Sequence, residues 1–292
     1  MKYIADISSY QPDFDFKKFQ SYGGIGVIIK TSMQLGFDSK YLTFAEKIRE
    51  TDLLFGVYHW IDAIPANPQK QVDLFSQAIE KVNPDFLCGD NEQWWADWNK
   101  YIAAVNKKIP MSEVPRLNSK KINDFSQEWF EKISQRYQKK LYQYTGRWFI
   151  DGYCPQMKTW LNRYPLWLAE YRKIPKMRSL DFTGIELKPP SGVDWEIWQF
   201  SSSMYLPGVN LSYGIERPFD INMVRDDFSV IVSPKKVNLQ KDLLKVKILS
   251  KADRGSEQIN IAEETVTICG KEGDYYKVYP EGYIHKNNIE GV

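Results

Sequence analysis

The sequence predicts an α/β fold, a closed barrel of parallel strands, with a small all-β domain after it. Three observations carry this. Eight short apolar runs alternate with amphipathic stretches over roughly the first 220 residues, the pattern of βα units closing into a barrel. No Gly-rich phosphate loop follows the first run, which argues against a doubly wound open sheet. Past Ser233 the helical periodicity stops, and strand-like runs separated by turns take over.

The eight runs fall at 3–7, 26–30, 54–60, 86–90, 140–144, 166–169, 195–200 and 219–221. Helical periodicity near 3.6 marks 39–51, 69–82 and 120–137. In the second of these Val72, Phe75, Ile79 and Val82 share one face, and Asn67-Pro68 supplies a start signal. After the sixth run the helical stretches shorten or vanish, so the barrel is expected to be irregular late in the chain. A linker is expected at 233–240, where Ser233-Pro234-Lys235-Lys236 interrupts the pattern. The tail, 241–292, carries strand-like runs at 244–249, 264–268, 275–279 and 282–285, with Glu272-Gly273-Asp274 as a hairpin turn.

A chain of 292 residues suits one large and one small domain. Hydrophobic residues at 43% and charged residues at 26% indicate an ordered globular protein. A formal net charge of +2 gives no field for nucleic acid or membrane binding. Cys88, Cys154 and Cys269 are scattered and odd in number, which excludes a disulfide framework and fits folding in a reducing compartment. The start has no apolar segment of signal-peptide length, and no stretch is apolar enough to span a bilayer. The protein is therefore expected to be made in the cytoplasm; acting outside would require release by another factor. His59 and His285 have no zinc-type partners, so no metal or other cofactor is expected, and His59 is read as structural. Aromatic residues reach 15%; such an excess serves either a bulky core or the flat surfaces on which sugars stack.

Chemistry in a parallel barrel gathers where the strands run out into the βα loops. Four acidic residues fall at such places: Asp6 late in the first run, Asp90 and Glu92 at the end of the fourth, and Asp220 in the eighth. Asp90 and Glu92 are two apart, so on a strand both point to one side. Carboxylates that close cannot ionise independently, and one should keep its proton near neutral pH. Glycoside hydrolysis needs such a donor, together with negative charge at the reacting centre. Taken singly, each of the four is more commonly a solvated or capping group; the joint pattern is what points to chemistry.

That joint pattern resembles glycoside hydrolase family 25, the Chalaropsis-type lysozymes. Asp6-Ile7-Ser8-Ser9-Tyr10-Gln11 is similar to the family's opening motif, and Gly56-Val57-Tyr58-His59-Trp60 to its Gly-x-Tyr-His-aromatic strand. The stretch 84–92, ending Asp90-Asn91-Glu92, resembles its Asp-x-Glu strand. Tyr144-Thr145, Leu166-Trp167-Leu168-Ala169-Glu170-Tyr171, Trp198-Gln199-Phe200-Ser201 and Phe219-Asp220-Ile221-Asn222 follow in the family's order. The resemblance spans roughly residues 1 to 228 and implies an irregular TIM-like (β/α) barrel. It implies Glu92 as proton donor and Asp90 as the second carboxylate, stabilising the reacting centre or orienting the substrate's N-acetyl group. Asp6 and Asp220 would complete an acidic floor, and Tyr58, Tyr171 and Trp198 would help form the sugar groove. The implied substrate is the β-1,4 bond after N-acetylmuramic acid in peptidoglycan, cut by a monomer. The sequence departs from the family in the aromatic stretch Gln93-Trp94-Trp95-Ala96-Asp97-Trp98. Trp94, Trp95 or Trp98 is expected either to add a stacking surface or to form the core of an elaborated loop.

From about residue 240 the chain resembles bacterial Src-homology-3-like domains, through Val246-Lys247-Ile248-Leu249, Tyr275-Tyr276-Lys277-Val278 and Gly282-Tyr283-Ile284. This implies a small all-β barrel that binds the cell wall or else only packs as a module. With no signal peptide, the combination suggests a bacteriophage endolysin freed by a holin-type partner. Two other readings stay open. A chitinase-like enzyme would use Asp85, Asp90 and Glu92, but Cys88 stands where that frame needs an Asp. A non-catalytic wall-binding protein would have no need of four clustered acids.

Overall fold

The computed structural model describes residues 2–64, 67–172, 178–212 and 214–229, and six backbone strands between 235 and 285. The chain divides into two compact units, Met1–Ser229 and Val230–Val292.

In the first unit, eight strands close a barrel: β1 (Lys2–Ile7), β3 (Gly24–Met33), β5 (Leu54–Trp60), β6 (Phe86–Asp90), β7 (Leu141–Gly146), β8 (Leu166–Ala169), β9 (Ile197–Met204) and β12 (Phe219–Val224). β1 pairs with β3 on one side and β12 on the other, which completes the ring. Short strands β2 (Asp13–Phe14), β10 (Asn210–Ser212) and β11 (Ile215–Glu216) form a separate sheet, and β4 (Gly36–Phe37) extends β3. Every residue of β6, β7 and β8 is buried. Covering on both faces explains why these strands read as unbroken apolar runs rather than as alternations.

The expectation of an all-parallel barrel requires correction. β1, β3, β5, β6, β7, β8 and β9 pair in parallel, but β12 runs antiparallel to both β9 and β1. An antiparallel neighbour needs no crossover helix. That accounts for the lack of a helix between β9 and β12 among the described residues; the parallel step from β8 to β9 also carries no helix among the described residues. The reversal also sets the start of β12 at the mouth where the parallel strands end, with Asp220 directly opposite Asp6.

Outside the ring lie α1 (Phe16–Ser21), α2 (Tyr41–Arg49), α3 (Pro68–Val82), α4 (Trp98–Val105), α5 (Ser119–Arg136) and α6 (Arg147–Gly152). α3 starts as expected: Asn67 Oδ1 accepts from the Lys70 amide at 3.0 Å and Pro68 occupies the first turn. Its C-terminus passes through Asn83 in the left-handed region at φ 38°. α5 is capped by Asn118 and buries Ile122, Phe125, Trp129, Phe130 and Ile133 along one stripe. Trp129 and Phe130 press onto β6 at Gly89, the residue before Asp90.

In the second unit the strands are β13 (Lys235–Asn238), β14 (Val246–Leu249), β15 (Gln258–Ala262), β16 (Thr265–Glu272), β17 (Tyr275–Tyr279) and β18 (Tyr283–His285). They form one sheet in the order β13-β16-β17-β18-β14-β15. Part of the stretch expected to be linker is thus strand β13, paired with β16. β16 and β17 pair antiparallel with Glu272 opposite Tyr275; Gly273 and Asp274 of the expected turn lie outside the described residues. The side chains that carry the Src-homology-3 resemblance lie outside the described residues.

A methyl group at Gly89 would stand 2.5 Å from Cζ of Phe130 and 2.6 Å from Cζ3 of Trp129. Gly89→Ala should therefore destabilise the barrel by about 1–3 kcal/mol, through overpacking between α5 and β6. Chemical denaturation followed by circular dichroism checks this; an unchanged midpoint would show that α5 yields freely.

Candidate active site

Asp6 lies at the barrel mouth, buried, where β1 meets β12 and the ring reaches β9. Its carboxylate is held by two amides. Gln199 Nε2 donates to Oδ1 and Oδ2 at 3.1 and 3.0 Å, and Asn222 Nδ2 donates to Oδ2 at 2.7 Å. Each amide is oriented by its other end. Gln199 Oε1 accepts from the hydroxyls of Tyr144 (2.8 Å) and Tyr171 (2.9 Å), and Asn222 Oδ1 accepts from Trp167 Nε1 (2.6 Å). Burial pushes Asp6 up to about 6, while these hydrogen bonds oppose the rise by favouring the charged form. Asp220 is hydrogen-bonded to Asp6 and sits well above the usual carboxylate range, through burial and then through the charges of Asp6 and Glu92. In this pair Asp220 keeps the proton and donates it.

Asp90 ends β6 and is buried. Its Oδ1 has no hydrogen-bond partner among the described residues. Burial, then the charge of Glu92, hold it well above the usual range, against the pull of Lys30. Glu92 lies past the strand end, not on it. The ladder continues only through Asn91, whose amide donates to Tyr144 O at 2.9 Å and whose side chain accepts from Ser126 Oγ at 2.6 Å. Glu92 is half-buried and faces an open cavity of about 840 Å³. Burial, with the charge of Asp6, pushes its carboxyl up to about 7. The mouth thus presents one solvent-facing carboxyl that holds a proton near neutrality, a buried carboxyl beside it and a charged carboxylate fixed below. That set can protonate a leaving oxygen while keeping negative charge close by.

The rest of the cavity lining is largely basic and aromatic, with Arg147, Trp148, Tyr171, Arg172 and Lys188. Lys30, from β3, stands on the acidic side, 4.0 Å from Asp38 and 5.3 Å from the centre of the Tyr10 ring.

The structure brings Asp6, Asp90, Glu92 and Asp220 together, as each one's influence on its neighbours shows. Tyr58 joins them: burial, and after it Asp90, Asp6 and Asp220, hold its hydroxyl far above the ordinary value. Tyr171 is 55% exposed at the rim. Three expected sugar contacts need correction. Trp198 is 0% exposed, and its Nε1 donates to the Glu170 carbonyl at 2.8 Å, so it supports the wall from behind. Trp94 and Trp95, at 7% and 4% exposed, are the core of their own loop. Trp95 stacks on Tyr101 at 3.7 Å and Trp94 on Tyr153 at 4.9 Å, while Trp94 O and Ala96 N bond back to 115–117. Trp98 stays exposed. His59 is buried between Ser32 and Gln71, each 2.8 Å away, and burial lowers it to about 4, a neutral structural ring. Burial keeps the Cys88 thiol protonated.

Sequence reasoning assigned no role to Gln199, Asn222, Tyr144, Trp148 or the arginines. For the two amides a signal existed, since a carboxamide inside an apolar run must find buried partners.

Comparison with known proteins gives a consistent result. The profile of the family described as glycosyl hydrolases family 25 matches residues 5–209. Among solved structures, the CTP1L endolysin aligns at 23% identity and a TM-score of 0.55, over 78% of this chain and 68% of its own. A family 25 glycosyl hydrolase from Bacillus anthracis aligns at 17% identity and a TM-score of 0.56, over 78% and 90%. A muramidase from Trichobolus zukalii aligns at 17% identity and a TM-score of 0.54, over 78% and 95%. These likenesses establish a shared fold. No curated protein sequence matches.

A raised carboxyl has a stability consequence of definite sign. Unfolded, Glu92 loses its proton near 4.5; folded, it holds it to about 7. Between those values the unfolded state ionises at no burial cost, so the wild type loses stability as pH rises. Glu92→Gln should therefore melt higher than wild type above pH 7, with the two converging below about pH 4. Melting temperatures across that range check this, and a constant difference would show that burial does not perturb Glu92.

Proposed function

The chain belongs to glycosyl hydrolase family 25, and on that premise we propose that it is a muramidase. In this reading it cleaves the β-1,4 bond between N-acetylmuramic acid and N-acetylglucosamine in peptidoglycan. The observation that carries it is Glu92 facing a sugar-sized cavity, its proton affinity raised by burial, with Asp90 beside it over the Asp6 floor. Glu92 delivers its proton to the glycosidic oxygen. Asp90 stabilises the cationic centre or orients the N-acetyl group, and Asp6 adds fixed negative charge below. Tyr171 and the half-exposed Trp148 offer flat faces for pyranose rings at the rim. The second unit tethers the enzyme to the wall, which raises local substrate concentration. The biological role is that of a phage endolysin acting on the wall after holin-type release; similarity in fold to endolysins supports it.

Mass spectrometry of fragments released from purified peptidoglycan tests the bond. Wild type should give reducing N-acetylmuramic acid ends, and Glu92→Gln should lower the rate by at least about 100-fold, the scale of a lost general acid. Reducing N-acetylglucosamine ends would refute the assignment. The acid form must be present for turnover, so kcat/KM should decline as pH rises through about 7. A profile flat across that value would remove Glu92 as donor. Deleting the second unit should reduce activity on whole walls more than on soluble fragments; equal loss on both would contradict the tether.

A further inference from the structure

Beyond the ends of β7 and β8 the cavity wall carries groups that proton donation does not use. Glu170 is clamped by two guanidiniums, with Arg147 Nε at 2.7 Å from one carboxylate oxygen and Arg172 Nη2 at 2.6 Å from the other. Backbone carbonyls hold the same arginines from a second side. Arg172 Nε donates to Lys188 O at 3.1 Å, and Arg147 Nη2 donates to Ser191 O. Arg172 also lies over the Trp198 ring, 5.3 Å from its centre. Backbone acceptors thus hold both guanidiniums in place before any ligand arrives. Neither Nη1 donates to an acceptor among the described residues, nor does Arg147 Nε, close as it lies to Glu170, and both side chains remain part-exposed to the cavity. Lys188 lines the same space, its ammonium 3.3 Å from Glu186 in an exposed pair. Two guanidiniums therefore share the single carboxylate of Glu170, with Lys188 beside them, and their unused donors point to an anion.

We propose that the wall formed by Arg147, Arg172 and Lys188 is a carboxylate-binding subsite, which grips an acid group on the lactyl arm of the substrate's muramic acid. The proposal rests on the muramidase reading. In that substrate the hydroxyls and N-acetyl groups of the sugars are neutral, and the acid groups hang from the lactyl arm. They are either the lactyl carboxylate itself or the carboxylates of a peptide joined to it. The subsite shares its cavity with Glu92, so an arm held there fixes which sugar lies across the proton donor. A glycan without such an arm would lack this anchor.

Titration calorimetry on full-length Glu92→Gln protein tests this with four probes. The first is the N-acetylglucosamine–N-acetylmuramic acid disaccharide bearing L-alanyl-D-glutamate. The second is its dimethyl ester, with no free carboxyl; the third is the peptide-free disaccharide, whose lactyl acid is free, and the fourth is that acid's methyl ester. Esterification should weaken binding about tenfold or more, the scale of one or two lost charge-assisted hydrogen bonds. Adding Arg172→Gln or Lys188→Gln should shrink that penalty and leave affinity for the ester unchanged. Both acids binding no better than their own esters would overturn the proposal, as would an equal loss of acid and ester in Arg172→Gln, which would mark the arginine as packing only. An ester penalty confined to the peptide-free pair would assign the subsite to the lactyl carboxylate; a penalty in the dipeptide pair would assign it to the peptide. Fragment release by the wild type reports separately on the muramidase reading. Turnover without ester discrimination would sink the subsite alone, and ester discrimination without turnover would sink that reading alone.

Discussion

The Gln199 carboxamide is the joint on which the mouth of the barrel depends. Its two ends cannot be exchanged: Oε1 takes the Tyr144 and Tyr171 hydroxyls, and Nε2 faces both oxygens of Asp6. Reversed, the amide would meet donors with donors and a carboxylate with its own oxygen. Asn222 repeats the arrangement from β12, between Trp167 and Asp6. Two amides and one carboxylate thereby link β1, β7, β8, β9 and β12. Among the described residues no helix lies between β8 and β12, the part of the ring where strand direction reverses, so side-chain bonds inside the barrel do some of the work that packed helices do elsewhere.

That joint also decides which acid carries charge. Four carboxyl groups crowded at one mouth cannot all ionise, and the fold treats each differently. Asp6 receives amide donors and keeps its charge at the lowest cost. Asp220 has Asp6 as its partner and so retains its proton. Asp90 has an Oδ1 with nothing to accept from among the described residues, and burial does the rest. Glu92 alone faces the cavity. A group poised near neutrality and open to solvent is the one able to exchange a proton with a ligand and recover it afterwards. Stability is given up for this, as expected where a site holds groups away from their preferred ionisation.

Much of this was legible in the sequence. The eight barrel strands stood out because strands covered on both faces are continuous apolar runs, and α3 and α5 because each has an amphipathic stripe and, at α3, a start signal. The four acids were found because each falls at the end of such a run. The direction of β12 was not legible, since Phe219-Asp220-Ile221 reads alike either way; pairing partners, not composition, decide it. Trp94 and Trp95 were ambiguous for a related reason. An indole serves equally as loop core or as sugar platform, and only burial against Tyr101 and Tyr153 separates the two. The basic wall was invisible because Arg147 and Arg172 follow different strands. They converge because β7 and β8 are neighbours, with Gly146 opposite Ala169, so the residues just beyond each strand end emerge side by side.

The two sides of the cavity then make sense together. A floor of carboxyl groups would repel an anionic polymer if all were charged, and a wholly basic mouth would strip the acid of its raised proton affinity. The proton that Asp220 retains beside Asp6 reduces the repulsion at its source. Glu170 absorbs part of the charge of Arg147 and Arg172, which keeps that positive field from reaching undiminished across to Glu92. Burial and the charge of Asp6 set the raised affinity of Glu92 for its proton. The cavity can therefore hold an acid group on the arginines and a working proton donor in the same space, because the carboxylate of Glu170 lies between the two arginines.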